Sequence, residues 1–187
     1  MSSSSVAVDS VGLPLGSSAV DFQLKAVDGK SYSLKNFADK KAVVMVFSCN
    51  HCPYVQAYET RMVQVQKDYL SRSATLVAIN SNDETGYPED SFPNMVKRSK
   101  ERNFNFPYLR DETQEIARKY GAICTPHAFA FDQNRVLQYK GRIDDNWRNP
   151  EEVKTRDLRN ALDAILGGKK PAVQETRPYG CSIKWKQ

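Results

Sequence analysis

Six consecutive apolar residues, Ala42 to Phe47, run into Ser48-Cys49-Asn50-His51-Cys52-Pro53, after which the apolar pattern changes period. A β-branched run without a polar break belongs in the middle of a sheet covered on both faces. From about Asn50 to Leu70, Val55, Tyr58, Met62 and Val65 recur at helical spacing, so a long helix leaves the end of that strand. Cys49 and Cys52 therefore stand where a buried strand turns into a helix.

The remaining pattern supplies the other elements. Asp21 to Lys25 and Lys30 to Ser33, joined through Asp28-Gly29, predict a short hairpin. Thr75 to Ile79 predicts a second buried strand, Asp90 to Arg102 a helical stretch, Phe106 to Leu109 a short strand, and Glu112 to Tyr120 a helix ended by Gly121. His127 to Phe131 and Arg135 to Ile143 read as two hairpin arms around Asp132-Gln133-Asn134. A last helix begins at Pro150 and carries Val153, Leu158, Leu162, Ile165 and Leu166 before Gly167-Gly168. This order predicts an α/β fold with a mixed central sheet flanked by helices and an N-terminal β-hairpin extension.

At 187 residues, with 40% apolar and 26% charged, the chain has the length of one domain and the composition to build a core. The expected organisation is a flexible leader over 1–13, the domain over 14–166 and a C-terminal tail over 167–187 packed on it. No apolar run approaches the roughly 20 residues that cross a bilayer, and no basic residue precedes Lys25. A cytoplasmic protein with no membrane partner is the expectation. Lys97, Arg98, Lys100 and Arg102 alternate with too few aromatics for nucleic-acid binding and read as a solvated helix face, and Glu59 as a solvated helix position.

Four cysteines are too few for a stapled secreted scaffold, and in a reducing compartment a close pair is more often catalytic or metal-binding. The free N–H groups and positive end of a helix lower the pKa of a thiol placed there, which makes Cys49 the expected nucleophile and Cys52, one turn on, the resolving thiol. His51 between them adds a positive charge beside Cys49, favouring its thiolate and making the couple more oxidising. The expected chemistry is thiol-disulfide exchange with protein or small-molecule thiols and disulfides, needing no cofactor and no metal.

The strand-Cys49-Asn50-His51-Cys52-Pro53-helix segment, Thr125-Pro126 before a strand, and Tyr139-Lys140-Gly141-Arg142-Ile143 resemble the thioredoxin superfamily. Within it, the chain is similar to the redoxin group related to alkyl hydroperoxide reductase and thiol-specific antioxidant proteins. The tail Gly180-Cys181-Ser182-Ile183-Lys184-Trp185 adds a likeness to bacterial thioredoxin-like proteins that carry a Cys-Asn-His-Cys-Pro-Tyr-Val segment and a similar ending. The resemblance implies a cis Pro126 facing the cysteine pair, with Thr125 offering its backbone to a substrate segment in the groove.

Departures from the family pattern bear on mechanism. Val43 stands where thioredoxin has a buried acid, and Val55 where membrane-anchored reductases have a glutamate, so the usual proton acceptor is missing. Ala42 and Val46 occupy the Pro and Thr positions of a peroxiredoxin site, which leaves thiol-dependent peroxidase as a weaker alternative. A copper or zinc site built from Cys49, Cys52, Cys124, His51 and His127 is the alternative outside redox catalysis. Cys124 reads as a buried small hydrophobe, and Cys181 as either a thiol packed to anchor the tail or a third redox thiol. The oligomeric state is left open.

Overall fold

The computed structural model describes residues 12–187, so most of the 1–13 leader lies outside the described residues. Seven strands form one mixed sheet in the order β2-β1-β5-β4-β3-β7-β8. Its centre is β3 (Ala42–Ser48), paired in parallel with β4 (Ala74–Asn80) from Ala42↔Ala74 to Ser48↔Asn80. On its other side β3 runs antiparallel to β7 (His127–Phe131), which pairs with β8 (Leu137–Gly141). Beyond β4 lie β5 (Tyr108–Arg110), also parallel, and the antiparallel hairpin of β1 (Leu24–Ala26) and β2 (Ser31–Tyr32). This is the mixed, helix-flanked sheet that the thioredoxin resemblance implies.

Alternation along β3 explains the two layers of core, because successive side chains leave a strand on opposite faces. Ala42, Val44 and Val46 pack with Tyr58, Met62 and Val65 of α1 (Pro53–Leu70), Met95 of α2 (Phe92–Glu101) and Leu158 and Leu162 of α4 (Asp157–Leu166). Val43, Met45 and Phe47 pack instead with Ile116 and Tyr120 of α3 (Glu115–Tyr120), with Phe22 and Phe37, and with Ile183 of the tail. A run with no polar member is thus the consequence of cover on both faces. Among the described residues no helix is long and apolar enough to cross a membrane.

Three boundaries differ from the sequence expectation. The helix after the cysteines begins at Pro53, the N1 residue, and not at Asn50. Pro150–Glu152 forms a separate 3-10 turn, its Glu151 N–H donating to the Asn149 side chain, and extended residues intervene before α4. Gln114 takes a left-handed conformation, φ 64°, which confines α3 to six residues. Glu59 also differs: it is buried and held by Arg98 and Arg102, with Arg98 Nη2 3.0 Å from Glu59 Oε2. Two basic residues of the supposed solvated face, Arg98 and Arg102, therefore form ion pairs with α1.

The N-terminal segment is fixed where it meets α3. Leu13 N–H donates to the Tyr120 carbonyl at 3.0 Å, and Gly121 ends the helix with φ 65°, its Cα against Gly12. A methyl group on Gly121 has no room there and suits that φ poorly. Gly121→Ala is expected to lower unfolding stability by about 1–3 kcal/mol, read as a drop in the urea midpoint; an unchanged midpoint would show that residues 12–13 lie outside the cooperative unit.

Candidate active site

The parallel β3–β4 pair delivers two polar segments to the same end of the sheet: Ser48-Cys49-Asn50, from the last residue of β3, and Asn80-Ser81-Asn82, from the last residue of β4. All six residues are buried. Opposite them, the Thr125–Pro126 peptide bond is cis. Cys49 Sγ lies 3.3 Å from Thr125 Oγ1, and the Cys52 thiol donates to the Thr125 carbonyl at 3.2 Å. Cys49, Cys52 and Val55 form a small apolar cluster that Tyr54 and Cys181 cover.

The two thiols share their environment unequally. Cys52, 0% exposed, is the N-cap residue of α1, whereas Cys49 lies three residues earlier. The hydrogen bond from the Cys49 thiol holds the Cys52 pKa down, against the cost of burial, and contacts from the Cys181 thiol and from the Val55 and Cys181 N–H groups add to it. Cys49 moves the other way: the bond to Cys52, burial and the charge of Asp90 push it well up, opposed only by the Thr125 hydroxyl. With Cys181 against Cys52, this direction differs from the sequence expectation of a low-pKa Cys49 at the helix start. Pro53 takes the first helical position, so the positive end of the helix acts on Cys52.

His51 lies beside Cys49, a ring nitrogen and the Cys49 sulfur within 4.8 Å of one another. Its Nδ1 lies 2.6 Å from Asp90 Oδ2, and its ring stacks on Tyr87 with centroids 5.5 Å apart. Any positive charge on His51 faces a carboxylate before it faces Cys49. Asp90, 0% exposed, also accepts from the Asn50 N–H at 2.6 Å and from Asn82 Nδ2 at 2.8 Å. Asn50 is in turn held by Tyr108, whose hydroxyl donates to Asn50 Oδ1 at 2.8 Å, and by the Glu89 carbonyl, which accepts from Asn50 Nδ2 at 2.8 Å. Sequence reasoning missed Asp90, the one acid in direct contact with the loop between the cysteines; the polar Asn80-Ser81-Asn82 run after a buried strand was its only trace.

The five donors proposed for copper or zinc do not converge. His127 is buried, its Nδ1 accepting the Ile123 N–H at 3.4 Å and its ring 4.4 Å from that of Phe129. Desolvation, with the Lys140 charge behind it, lowers its pKa to about 3. Cys124 turns toward the Pro126 carbonyl at 3.8 Å, and burial pushes its thiol up to about 12. Among the described residues, Cys49, His51 and Asp90 are the group whose donor atoms lie within 4.8 Å of one another, and both Asp90 oxygens there are already hydrogen-bonded. Ala42 and Val46, the positions of a peroxiredoxin Pro and Thr, are buried core residues, leaving the Thr125 hydroxyl as the one beside Cys49.

The groove beside Thr125 is not open to a substrate strand. Residues Cys181–Ser182 form β9, which pairs antiparallel with β6 (Cys124–Thr125) in the register Cys124↔Ser182 and Thr125↔Cys181. Cys181 Sγ thereby lies 2.9 Å from Cys52 Sγ. The chain's own tail occupies the place that the resemblance assigns to a substrate.

Comparison with known proteins agrees with this architecture. The chain is 43% identical to an uncharacterized conserved protein from Geobacillus kaustophilus whose crystal structure superimposes with a TM-score of 0.87, covering 92% of this chain and 93% of that one. A thiol:disulfide interchange protein of the thioredoxin family from Chlorobium tepidum TLS is 26% identical, with a TM-score of 0.58 over 68% of this chain and 86% of that one. Thiol-disulfide oxidoreductase ResA from Bacillus thuringiensis subsp. konkukian is 26% identical over 129 residues, 67% of this chain and 69% of that protein. Residues 15–140 match the AhpC/TSA family, and with its buried strand, paired cysteines and cis Thr125–Pro126 bond in the corresponding fold, the chain belongs to it.

Proposed function

We propose that the protein is a thiol-disulfide oxidoreductase in which Cys49 and Cys52 alternate between dithiol and disulfide. The observation that carries this reading is geometric: two buried thiols three residues apart at a strand–helix junction, both against Thr125 of the cis Thr125–Pro126 bond, Cys49 Sγ 3.3 Å from its hydroxyl and Cys52 Sγ 3.2 Å from its carbonyl. A thiolate next to a protonated partner is what exchange requires, since the first attacks a disulfide and the second resolves the mixed disulfide. The names of the ResA and Chlorobium relatives support the same chemistry. Thiols and disulfides, of proteins or small molecules, are the proposed substrates, and the domain organisation implied is a core over 14–166 with the 167–187 tail laid across it.

The charge distribution also bears on the order of attack. The Cys49–Cys52 hydrogen bond makes the two thiols share one proton, and with β9 in place that bond and the Cys181 contact favour the charge at Cys52; the single-cysteine variants decide which sulfur attacks first. Thr125 touches both sulfurs, its hydroxyl at Cys49 and its carbonyl accepting from Cys52 while Cys52 carries its proton.

Two measurements test this. In a coupled assay with a model protein disulfide and a dithiol reductant, Cys52→Ser is expected to fall to background and Cys49→Ser by about tenfold or more; full activity in Cys52→Ser would sink the reading. The second is a pH titration of the reduced protein by ultraviolet thiolate absorbance. Because the Cys52 pKa is held down to about 5 from its usual 9.0, a thiolate step is expected near pH 5, and exchange should fall as the pH drops through it. That step disappears in Cys52→Ser, and moves upward in Cys49→Ser, which lacks the thiol donor.

A further inference from the structure

The dithiol reading leaves Cys181 unused, although several features converge to hold it against Cys52. The 2.9 Å separation of the sulfurs is shorter than the about 3.5–4.0 Å of ordinary non-bonded carbon contact, and one bond-forming step from the about 2.05 Å of a disulfide. The backbone fixes that approach through the Thr125↔Cys181 pairing. Gly180, next in the chain, brings the tail so close to Thr125 that a Cβ would overlap the Thr125 carbonyl, so the tail seats there only with glycine at this position.

The tail is anchored on both flanks of Cys181. Before it, Thr176 N–H donates to the Lys140 carbonyl at 3.1 Å, and Arg142 Nη1 donates to the Tyr179 hydroxyl at 2.8 Å. After it, Ile183 is buried in the core, Lys184 N–H donates to Asn82 Oδ1 at 2.9 Å, and the Lys184 carbonyl accepts from Asp83 N–H and Gln114 Nε2, both at 2.8 Å. Cys49, Cys52 and Cys124 are buried, whereas Cys181 is half-buried. A groove lined by Tyr54, Trp147, Arg148, Arg177 and Tyr179 runs up to Gly180 beside it.

From this geometry we propose that Cys181 is a third redox thiol that carries disulfide exchange between the buried Cys49–Cys52 pair and thiols or disulfides outside the protein. The inference rests on the dithiol reading above. Starting from a Cys49–Cys52 disulfide, Cys181 attacks the Cys52 sulfur: the Cys52–Cys181 bond forms, the Cys49–Cys52 bond breaks, and Cys49 leaves with the electron pair and takes up the proton that Cys181 gives up. Nothing is oxidised or reduced overall in that step; the disulfide has moved outward. An external thiolate then attacks Cys181, forming a mixed disulfide and releasing Cys52 as the thiolate. A second external thiolate attacks the outer sulfur of that mixed disulfide, giving the external disulfide and expelling Cys181 as a thiolate, which takes a proton from solvent. Two external thiols are oxidised and one protein disulfide is reduced, and the reverse sequence carries oxidation inward.

The leaving-group chemistry favours the second step, the attack of an external thiolate on the Cys52–Cys181 disulfide. The environment that holds the Cys52 pKa down makes it the better leaving sulfur of the Cys52–Cys181 pair, while Cys181, raised to about 11 by burial and by Cys52, is the one retained in the mixed disulfide. Cys124 is adjacent in the β6–β9 pair but turned toward the Pro126 carbonyl, and has no part in the relay.

The test is disulfide mapping. Reduced full-length protein is oxidised with a limiting amount of a model disulfide, quenched in acid, alkylated and digested, and the linked peptides are read by mass spectrometry. A Cys52–Cys181 peptide is expected in the wild type, in Cys49→Ser and in Cys124→Ala. It should be lost in Cys181→Ser, and equally in Gly180→Val, which keeps every thiol but cannot seat β9. In Cys52→Ser treated with oxidised glutathione, the adduct is expected on Cys181. Absence of the Cys52–Cys181 peptide from the wild type, while Cys181→Ser still forms Cys49–Cys52, would overturn the relay and leave the dithiol reading standing. Failure of Cys181→Ser to form Cys49–Cys52 overturns the dithiol reading itself.

Discussion

A thiolate shut away from water has to be solvated by the protein around it, or it takes a proton instead. Cys52 has no exposed surface, and what compensates it comes from separate parts of the chain: the Cys49 thiol from the end of β3, the Val55 N–H from the first turn of α1, and the thiol and N–H of Cys181 from β9. None of these donors is local to Cys52 alone. A negative charge on Cys52 therefore requires the sheet, the helix start and the tail to be in place together. Asp90 enforces the asymmetry from the other side, since its carboxylate disfavours a second negative charge on Cys49. A buried carboxylate so close to two thiols is tolerable because the Asn50 N–H, His51 and Asn82 hold its oxygens.

How much of this is legible in the sequence depends on the range of each interaction. The continuous run Ala42 to Phe47 and the periodicity after it reveal the strand–helix junction, because both patterns are local and their causes are local. The start of α1 is also a local matter, yet a shift from Asn50 to Pro53 was enough to move the helix's positive end from one cysteine to the other. Asp90 is a different case. It meets Asn50 across 40 residues of chain, and only the parallel β3–β4 register brings the segments after the two strands together. Glu59 lay between these extremes: it follows Val55 by four positions and precedes Met62 by three, which puts it on the apolar face of α1, but its partner Arg98 belongs to another helix.

The cis Thr125–Pro126 bond and the short β6 show why the tail matters to the fold as well as to the site. A strand whose outer edge is unpaired offers its N–H and C=O groups to any passing extended chain, and proteins commonly cover such edges. Here β9 covers β6, and Ile183, the residue after it, closes the core over Phe47 and Tyr120. Family membership over residues 15–140 accounts for the sheet and the cysteine pair but stops short of this cover. Closing the edge and presenting Cys181 are the same act, performed by the same two residues.

That identity constrains how the tail can bind. Side chains alternate across a strand, so a slip of one residue in the β6–β9 register would turn Cys181 away from Cys52 and bring Gly180 or Ser182 to face it. A tail held only by charge, through Lys184 and Lys186, would have little reason to resist such a slip, because exposed ion pairs tolerate displacement. The contacts just after Cys181 are instead of fixed length and direction: the Lys184 backbone is clamped by Asn82, Asp83 and Gln114, and Ile183 fills an apolar site that neither neighbour could fill. Asn82 completes the coupling, since its amide donates to Asp90 while its carbonyl receives the tail. The acid that polarises the cysteine pair and the strand that delivers the third thiol are thus set by one asparagine, and a displacement of the tail is felt at the carboxylate through that side chain.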